Sequence, residues 1–396
     1  MAVAEYITYI DVKIEWSQDL IKTLNAKKGS SKLVASFHDW TGGIRWTSDT
    51  LQKKYEAADV FGDIIKLSIL SADMYDCHEL ALFVRNQQAQ SPKPVLAVGM
   101  GQHGQLSRIL SPILFVIHKL LPTPSAPGQL TLAEVHQAQH LIGQVPALDF
   151  SLSGPDAKAI VEMIRPGFQE LGLPHLCQAL EDDEPKDVKG ENLGGDAATG
   201  FQRYRYESIA EIASDDAQKV GFVDSIVRNR PESAEKSAFV GQNISWRVIH
   251  DCIMEAGIEV SAAASSIAII GDDINKARAA CFTAERMGYK AVYLLESKLC
   301  QTLAADFPGL DFSSQASKYK LAIICRVDEQ EAKHNPLHQI LREPFGGVIL
   351  DLSSAPGSSH SSRWNAIGKR QTTLVRAKLL FQLWTGRNVL DVLMKD

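Results

Sequence analysis

Four short stretches of this sequence combine residue types that do carbonyl chemistry. Lys66 lies inside the apolar run DIIKLSIL (63–70), where alternation along a strand points it toward the axis of a parallel sheet among Ile and Leu. A lysine desolvated in this way has a lowered pKa and becomes a nucleophilic amine, able to attack a ketone and form a Schiff base. A lysine that snorkels to solvent from a strand end is the other reading of the same residue. His38 ends the run SFHDW (36–40), at a strand's C-terminal edge, where an imidazole serves as general acid and base near neutral pH. GMGQHGQLSR (99–108) ends the next strand with a Gly-rich turn and delivers Arg108, a fixed cation suited to a carboxylate. SAPGQ (125–129) offers the Ser125 hydroxyl and the Gln129 amide from one tight turn. Amine, imidazole, guanidinium, hydroxyl and amide at successive strand ends describe a site for a small hydroxylated keto acid.

The elements that must position these groups follow from the hydrophobic pattern. The runs YITYIDVKI (6–14), KLVASFH (32–38), DIIKLSIL (63–70), PVLAVGM (94–100) and PILFVIH (112–118) are nearly continuous in apolar character, as strands buried on both faces are. DTLQKKYEAADVFG (49–62) and YDCHELALFVRNQQAQ (75–90) supply helices between them. Repeated βα units imply an α/β barrel or a doubly wound sheet. A boundary is expected near residues 143–150, followed by a helix within 153–173 and an acidic, Gly-rich loop over 181–200. A second α/β region runs through SSIAIIG (265–271), YKAVYLLE (289–296), YKLAIICRV (319–327) and GGVILDLS (346–353), and the helical pattern LVRAKLLFQLW (374–384) closes it. From Arg363 to Arg387 there are six Lys/Arg and no acidic residue, which reads as a solvated helix face or as a docking patch.

Composition narrows the function classes. The 396 residues are 45% hydrophobic and 22% charged, the profile of a globular protein with ample chain for real cores. A formal charge of −6 argues against direct nucleic-acid binding by electrostatics. The six cysteines lie far apart with no CxxC pair, so neither a metal cluster nor a disulfide framework is expected, and a reducing intracellular compartment is. No apolar run reaches the roughly 18–20 residues of a membrane span, and the N-terminus lacks a secretory pattern.

The order SFHDW, DIIKL, MGxxGxxSR, SAPGQ resembles type I 3-dehydroquinate dehydratase, most closely the dehydratase section of the fungal pentafunctional AROM polypeptide. That resemblance implies a (β/α)8 barrel in which Lys66 forms the imine and His38 shuttles the proton. Arg108 holds the substrate carboxylate, and Ser125 and Gln129 close over it. A full barrel needs eight strands, whereas about five are countable before the domain ends, so the expectation is a partial barrel that begins mid-fold. Asp11-Val12-Lys13 falls where the family reads Asp-x-Glu, so a carboxylate has become a cation.

From residue 147 onward the chain resembles shikimate dehydrogenase, through GLPH (172–175), VGFVDSIV (220–227), VGQNISW (240–246), DLSSAP (351–356) and LLFQLWTG (379–386). The functional stations of that family are replaced. Its Ser-x-Ser-Pro clamp is Lys158-Ala159-Ile160-Val161, its catalytic lysine motif has no counterpart between 190 and 220, and its catalytic aspartate is Ser245. Its asparagine is Asp224, its tyrosine is Ser354, and its Gln-Gly before the last helix is Arg376-Ala377. The nucleotide turn reads Gly271-Asp272-Asp273, one glycine and two carboxylates where a pyrophosphate should sit, and Glu296-Ser297 stands for the Asn-Arg that takes a 2′-phosphate. No cofactor is expected.

The organisation anticipated is therefore α/β throughout. Residues 1–146 form a dehydroquinase-like partial barrel, and 147–396 a shikimate dehydrogenase-like region with a degenerate Rossmann sheet. The latter divides into a substrate-type subdomain (147–250), a Rossmann-like subdomain (251–370) and a C-terminal helix (371–396). A scaffold that keeps two folds and loses one catalytic set resembles the fungal quinate repressor family. What this implies is repression of quinate-utilisation genes through binding of a transcriptional activator protein. The effector implied is 3-dehydroquinate, quinate or shikimate, with no direct nucleic-acid or membrane contact and a nuclear or cytoplasmic location. A working type I dehydratase fused to an inactive dehydrogenase-like region is the alternative.

Overall fold

The computed structural model describes residues 7–111, 116–117, 121, 123–124, 126–152, 154, 156–179, 198–205, 213–229, 238–257, 266–294, 297–312, 321–325, 347–352 and 364–386. The chain divides into two compact units, Met1–Pro146 with Gln169–Pro174, and Ala147–Phe168 with His175–Asp396.

The first unit is a run of βα steps: β1 (Tyr9–Lys13), α1 (Gln18–Lys27), β2 (Lys32–Asp39), α2 (Asp49–Asp59), β3 (Ile64–Leu70), α3 (Asp76–Gln88), β4 (Val95–Met100) and the short α4 (Gln105–Leu110). The four strands form a parallel sheet in sequence order. Alternate residues face opposite ways. Ala35, Phe37, Ile65, Leu67, Ile69, Val95 and Ala97 pack against Leu51, Tyr55 and Ala58 of α2 and Leu80 and Phe83 of α3. The other face carries Asp11, Ser36, His38, Lys66 and Ser68 in register. Helix starts follow local chemistry: the Ser48 side chain accepts from the Leu51 N–H at the head of α2.

The fifth apolar run behaves differently from the first four. Its described residues form β5 (Val116–Ile117), which pairs with β6 (Leu130–Thr131) in a separate two-stranded sheet, while the rest of 112–118 lies outside the described residues. Helix α5 (Leu132–Leu141) follows, opened by a capping box between Thr131 and Glu134.

The second unit holds two sheets. β7 (Asp149–Leu152), β8 (Leu176–Ala179), β9 (Ala198–Arg205), β10 (Phe222–Asn229) and β11 (Ala238–Gln242) make a mixed sheet in the order β11-β10-β9-β7-β8. β12 (Ser266–Ile270), β13 (Ala291–Leu294), β14 (Leu321–Ile324), β15 (Gly347–Asp351) and β16 (Trp364–Ile367) make an all-parallel sheet in the order β13-β12-β14-β15-β16. The helices are α6 (Ala157–Glu170), α7 (Asp215–Val220), α8 (Ser245–Glu255), α9 (Ile274–Arg286), α10 (Ser297–Asp306) and α11 (Lys369–Thr385).

Two sequence expectations are corrected here. The acidic stretch expected as loop to residue 200 gives way at Ala198 to β9, whose pairing with β7 and β10 overrides its local glycine content; 181–197 lie outside the described residues. The closing helix starts at Lys369 rather than 374, so Arg376 lies well inside α11 and not ahead of it. Polar residues 369–373 hid that first turn from a reading based on apolar periodicity.

Helix α11 reaches both cores of its unit. Val375 packs with the parallel sheet. Trp384 stacks on Phe150 of β7 at 4.5 Å, and Phe381 packs against Phe168 of α6 at 5.2 Å. Among the described residues no helix is long and apolar enough to cross a membrane.

Candidate functional site

On the face of the first sheet opposite α2 and α3, strand register aligns Ser36 of β2 with Lys66 of β3 and His38 with Ser68. Lys66 Nζ lies 2.6 Å from Asp11 Oδ2, with the two side chains 20% and 47% exposed. The Ser36 hydroxyl donates to the other Asp11 oxygen at 2.5 Å. Lys66 is thus set against a carboxylate, where the sequence pattern placed it among Ile and Leu. Burial raises the Asp11 carboxyl, but the hydrogen bonds from Lys66 and Ser36 and the charges of Lys66 and His38 bring it below the usual carboxylate range. Burial holds the His38 imidazole below its ordinary value, reinforced by the cations Lys66 and Lys13 and opposed by Asp11 and Glu15. The His38 ring stacks parallel to Trp40 with centroids 6.3 Å apart.

Asp11 is the member of this cluster that sequence reasoning noted only as a motif remnant. The signal lay in alternation: Asp11 and Lys13 share a strand face, and parallel pairing brings that face beside Ser36.

Arg108 and Gln129 are placed around the end of β4. Arg108 lies in α4 rather than in the turn itself, buried, and its burial lowers its pKa from the ordinary value. The turn is built by backbone approach. Gly99 N–H donates to Ser107 Oγ at 3.0 Å, and a Cβ on Gly104 would stand 2.3 Å from the Gly99 carbonyl oxygen. Gly101 N–H donates to the Pro127 carbonyl at 3.1 Å, which draws the 126–129 turn against β4's end. Gly128 there has φ +75°, and a Cβ on it would stand 2.2 Å from the Gly101 oxygen, so only glycine fits. The Gln129 side-chain oxygen accepts from Ala126 N–H at 3.2 Å within this turn. Ser125 lies outside the described residues. The register therefore brings His38 and Lys66 to one face, and the Gly101 contact brings the Gln129 turn to the end of the neighbouring strand.

In the second unit the replaced residues meet one another. Asp224 of β10, 3% exposed, accepts from Ile244 N–H and Ser245 N–H at 2.8 Å each. The Ser245 hydroxyl donates to it at 2.5 Å, and that of Ser225 at 3.1 Å. Arg376 Nη2 donates to Ser245 Oγ at 3.1 Å, and the Asn243 amide ties back to the Phe222 carbonyl. Asp273 caps α9: its carboxylate accepts from Asn275 and Lys276 N–H at 3.0 and 3.1 Å. The N-terminus that would receive a pyrophosphate in a dinucleotide fold is thus filled by a carboxylate of the chain itself. Lys158 to Val161 lie in the first turns of α6, while Glu296 and Ser354 lie outside the described residues. Among the described residues no group of His, Cys, Asp and Glu is arranged to hold a metal ion.

Comparison with known proteins places these sites in context. Residues 1–146 match the family model of type I 3-dehydroquinase. The chain is 32% identical over 387 residues to the pentafunctional AROM polypeptide of Mycosarcoma maydis, covering 90% of this chain and 22% of that protein. Against that of Malassezia globosa it is 30% identical over 409 residues, covering 96% and 25%. The solved structure of the dehydroquinate dehydratase and shikimate dehydrogenase from S. pombe AroM superposes with a TM-score of 0.77 at 25% identity, over 98% of this chain and 79% of that one. The chain is homologous to the dehydroquinase and shikimate dehydrogenase domains of AROM. It spans only 22% and 25% of the length of those two AROM polypeptides. Shikimate 5-dehydrogenase from Listeria monocytogenes, 14% identical with a TM-score of 0.50 over 63% of this chain and 96% of that one, shares the fold of the AROM homologue's second half. The AROM homologue is thus an α/β protein, dehydroquinase-like in its N-terminal region and shikimate dehydrogenase-like, with a Rossmann-like parallel sheet, in its C-terminal region.

Proposed function

We propose that this AROM homologue is a non-enzymatic metabolite sensor that represses quinate-utilisation genes by binding a transcriptional activator protein. Its effector on this reading is 3-dehydroquinate, quinate or shikimate, recognised at the face bearing His38 and Lys66, with Arg108, Ser125 and Gln129 contributing contacts. The observation that carries the reading is the Asp273 carboxylate seated at the N-terminus of α9, because it repels the phosphates a dehydrogenase requires. Asp224 and Ser245 support it, since Asp224 accepts from two backbone N–H groups and from the Ser245 hydroxyl, which in turn accepts from Arg376. A fold whose reactive stations have been turned over to internal bonding fits a role in binding rather than turnover. The charge of −6 suits a protein partner better than DNA, and the nucleus or cytoplasm is where such a repressor acts.

The test is calorimetric titration with 3-dehydroquinate beside an assay for its dehydration, and thermal melting with and without NADPH. Binding without turnover and an unmoved melting temperature are expected. Turnover that disappears in Lys66→Ala would instead establish the second reading, an active type I 3-dehydroquinate dehydratase, which the shared face of His38 and Lys66 favours.

A further inference from the structure

We propose that the groove between α3, β4 and α4 binds a small carboxylic acid with an apolar, ring-sized body. It lies on the opposite side of the first sheet from His38 and Lys66, because Val95 and Ala97 of β4 pack toward α2 and α3. Leu80, Ala81, Val84, Arg85 and Gln88 recur at helical spacing along α3 and share one side of it. That stripe faces Val95 and Ala97 across the groove, with Ser107 and Leu110 of α4 closing one end. Helix α4 stops at Leu110, and Ala81 and Ala97 are too small to fill the space beside it. A cavity of about 250 Å³ is left.

Its chemistry is divided. The deep polar groups are already bonded to backbone. The Cys77 thiol donates to the His103 carbonyl at 3.1 Å, and Ser107 Oγ donates to the Gly104 carbonyl at 2.7 Å while accepting from Gly99 N–H at 3.0 Å. A ligand's inner end therefore meets hydrocarbon from Leu80, Val84, Val95 and Leu110, and hydroxyls placed there would lose their bonds to water. This sets the groove apart from a site for polyhydroxylated acids. At the solvent side, Arg85 and Gln88 are exposed, and Arg85 has no ion-pair partner among the described residues. Its guanidinium fork matches a carboxylate, and the Gln88 amide adds one further donor. Size narrows the class. Roughly 150 Å³ holds a benzene ring, and drug-sized ligands need about 300 Å³ or more, so the groove suits one ring with one carboxyl group.

The experiment is isothermal titration with benzoate and with benzyl alcohol, on the parent chain, Arg85→Gln, Ala81→Trp and Lys66→Ala. The parent should take up one benzoate per chain and bind benzyl alcohol at least about tenfold more weakly. Arg85→Gln should weaken benzoate by about tenfold or more, and Ala81→Trp, whose indole fills the groove, should abolish its binding. Lys66→Ala should bind benzoate as the parent does, and saturating 3-dehydroquinate should leave that affinity unchanged. Absence of benzoate binding to the parent overturns the proposal, as does equal binding of the alcohol. Parent-like affinity in Arg85→Gln or Ala81→Trp also overturns it. Loss in Lys66→Ala, or competition by 3-dehydroquinate, assigns the ion to the opposite face and overturns it too. Ala81 and Arg85 are both exposed on α3, and should Ala81→Trp fail to fold, Arg85→Gln decides alone.

Discussion

In the first unit a carboxylate on the sheet face opposite α2 and α3 meets two side chains and stays half exposed: Asp11, with Lys66 and Ser36. In the second, Asp224 is buried under two backbone N–H groups and two hydroxyls, and Asp273 closes the first turn of a helix. By the sequence resemblance, Asp11 falls at a family aspartate, Asp224 at a family asparagine and Asp273 in a phosphate-binding turn. A buried group whose hydrogen-bonding capacity is met by backbone N–H donors acts on stability, while a half-exposed one met by side chains alone remains within reach of a ligand. Substitutions should therefore separate the units by what they damage.

The largest effect is expected from Asp224→Ala, which leaves the Ile244 and Ser245 N–H groups without their acceptor in a buried setting. A loss of about 2–3 kcal/mol, measured by denaturant unfolding, should come with unchanged 3-dehydroquinate binding. Asp273→Ala removes the α9 cap and should cost about 1 kcal/mol. If it also restores a melting response to NADPH, the turn is a masked cofactor site rather than a structural one, and the contrast between the units weakens. Lys66→Ala should reverse the pattern. Stability should change by less than about 1 kcal/mol, as for a partly exposed ion pair, while 3-dehydroquinate binding should fall at least tenfold by calorimetry.

The smallest effect is a slope. His38 has a lower pKa folded than unfolded, so the unfolded chain takes the proton first as pH falls. Its contribution is intact above about pH 6.5 and is lost as pH drops through the folded value. Comparing unfolding free energies of the parent and His38→Gln across that window should show a flatter acid limb in the variant. An identical limb would mean His38 is solvated in the folded protein.

Much of this was legible in advance because the strands are nearly continuous apolar runs: β1, β3, β4, β12, β13, β14 and β15 all fall inside the segments that periodicity marks, and β2 overruns its segment by one residue. His38 and Lys66 could be placed on neighbouring strands because alternation is a local rule, but their shared face follows only from the β2–β3 register. The Asp11–Lys66 pair was not legible, since 55 residues and an intervening strand separate its members and no spacing rule reaches across them. Arg376 and Ser245 are 131 residues apart, and a misplaced helix start hid the fact that Arg376 is carried on the face of α11 that meets α8. Arg108 was assigned to a turn because the glycines before it dominate the local pattern, although α4 begins only three residues earlier.

The reach of α11 bears on how the second unit is made in the cell. Phe150 of β7 lies flat against Trp384, about 230 residues further along the chain, so at ordinary rates of translation roughly 10–45 s separate the two. Throughout that interval Phe150 has Phe168 and His175 beside it but lacks the stacked indole that completes its packing. The four described strands of the first unit's parallel sheet, by contrast, all lie between Tyr9 and Met100 and pair in sequence order, so each can join its neighbour soon after it emerges. Nascent-chain folding should thus be sequential, with the Phe150–Phe168 cluster closed last by α11.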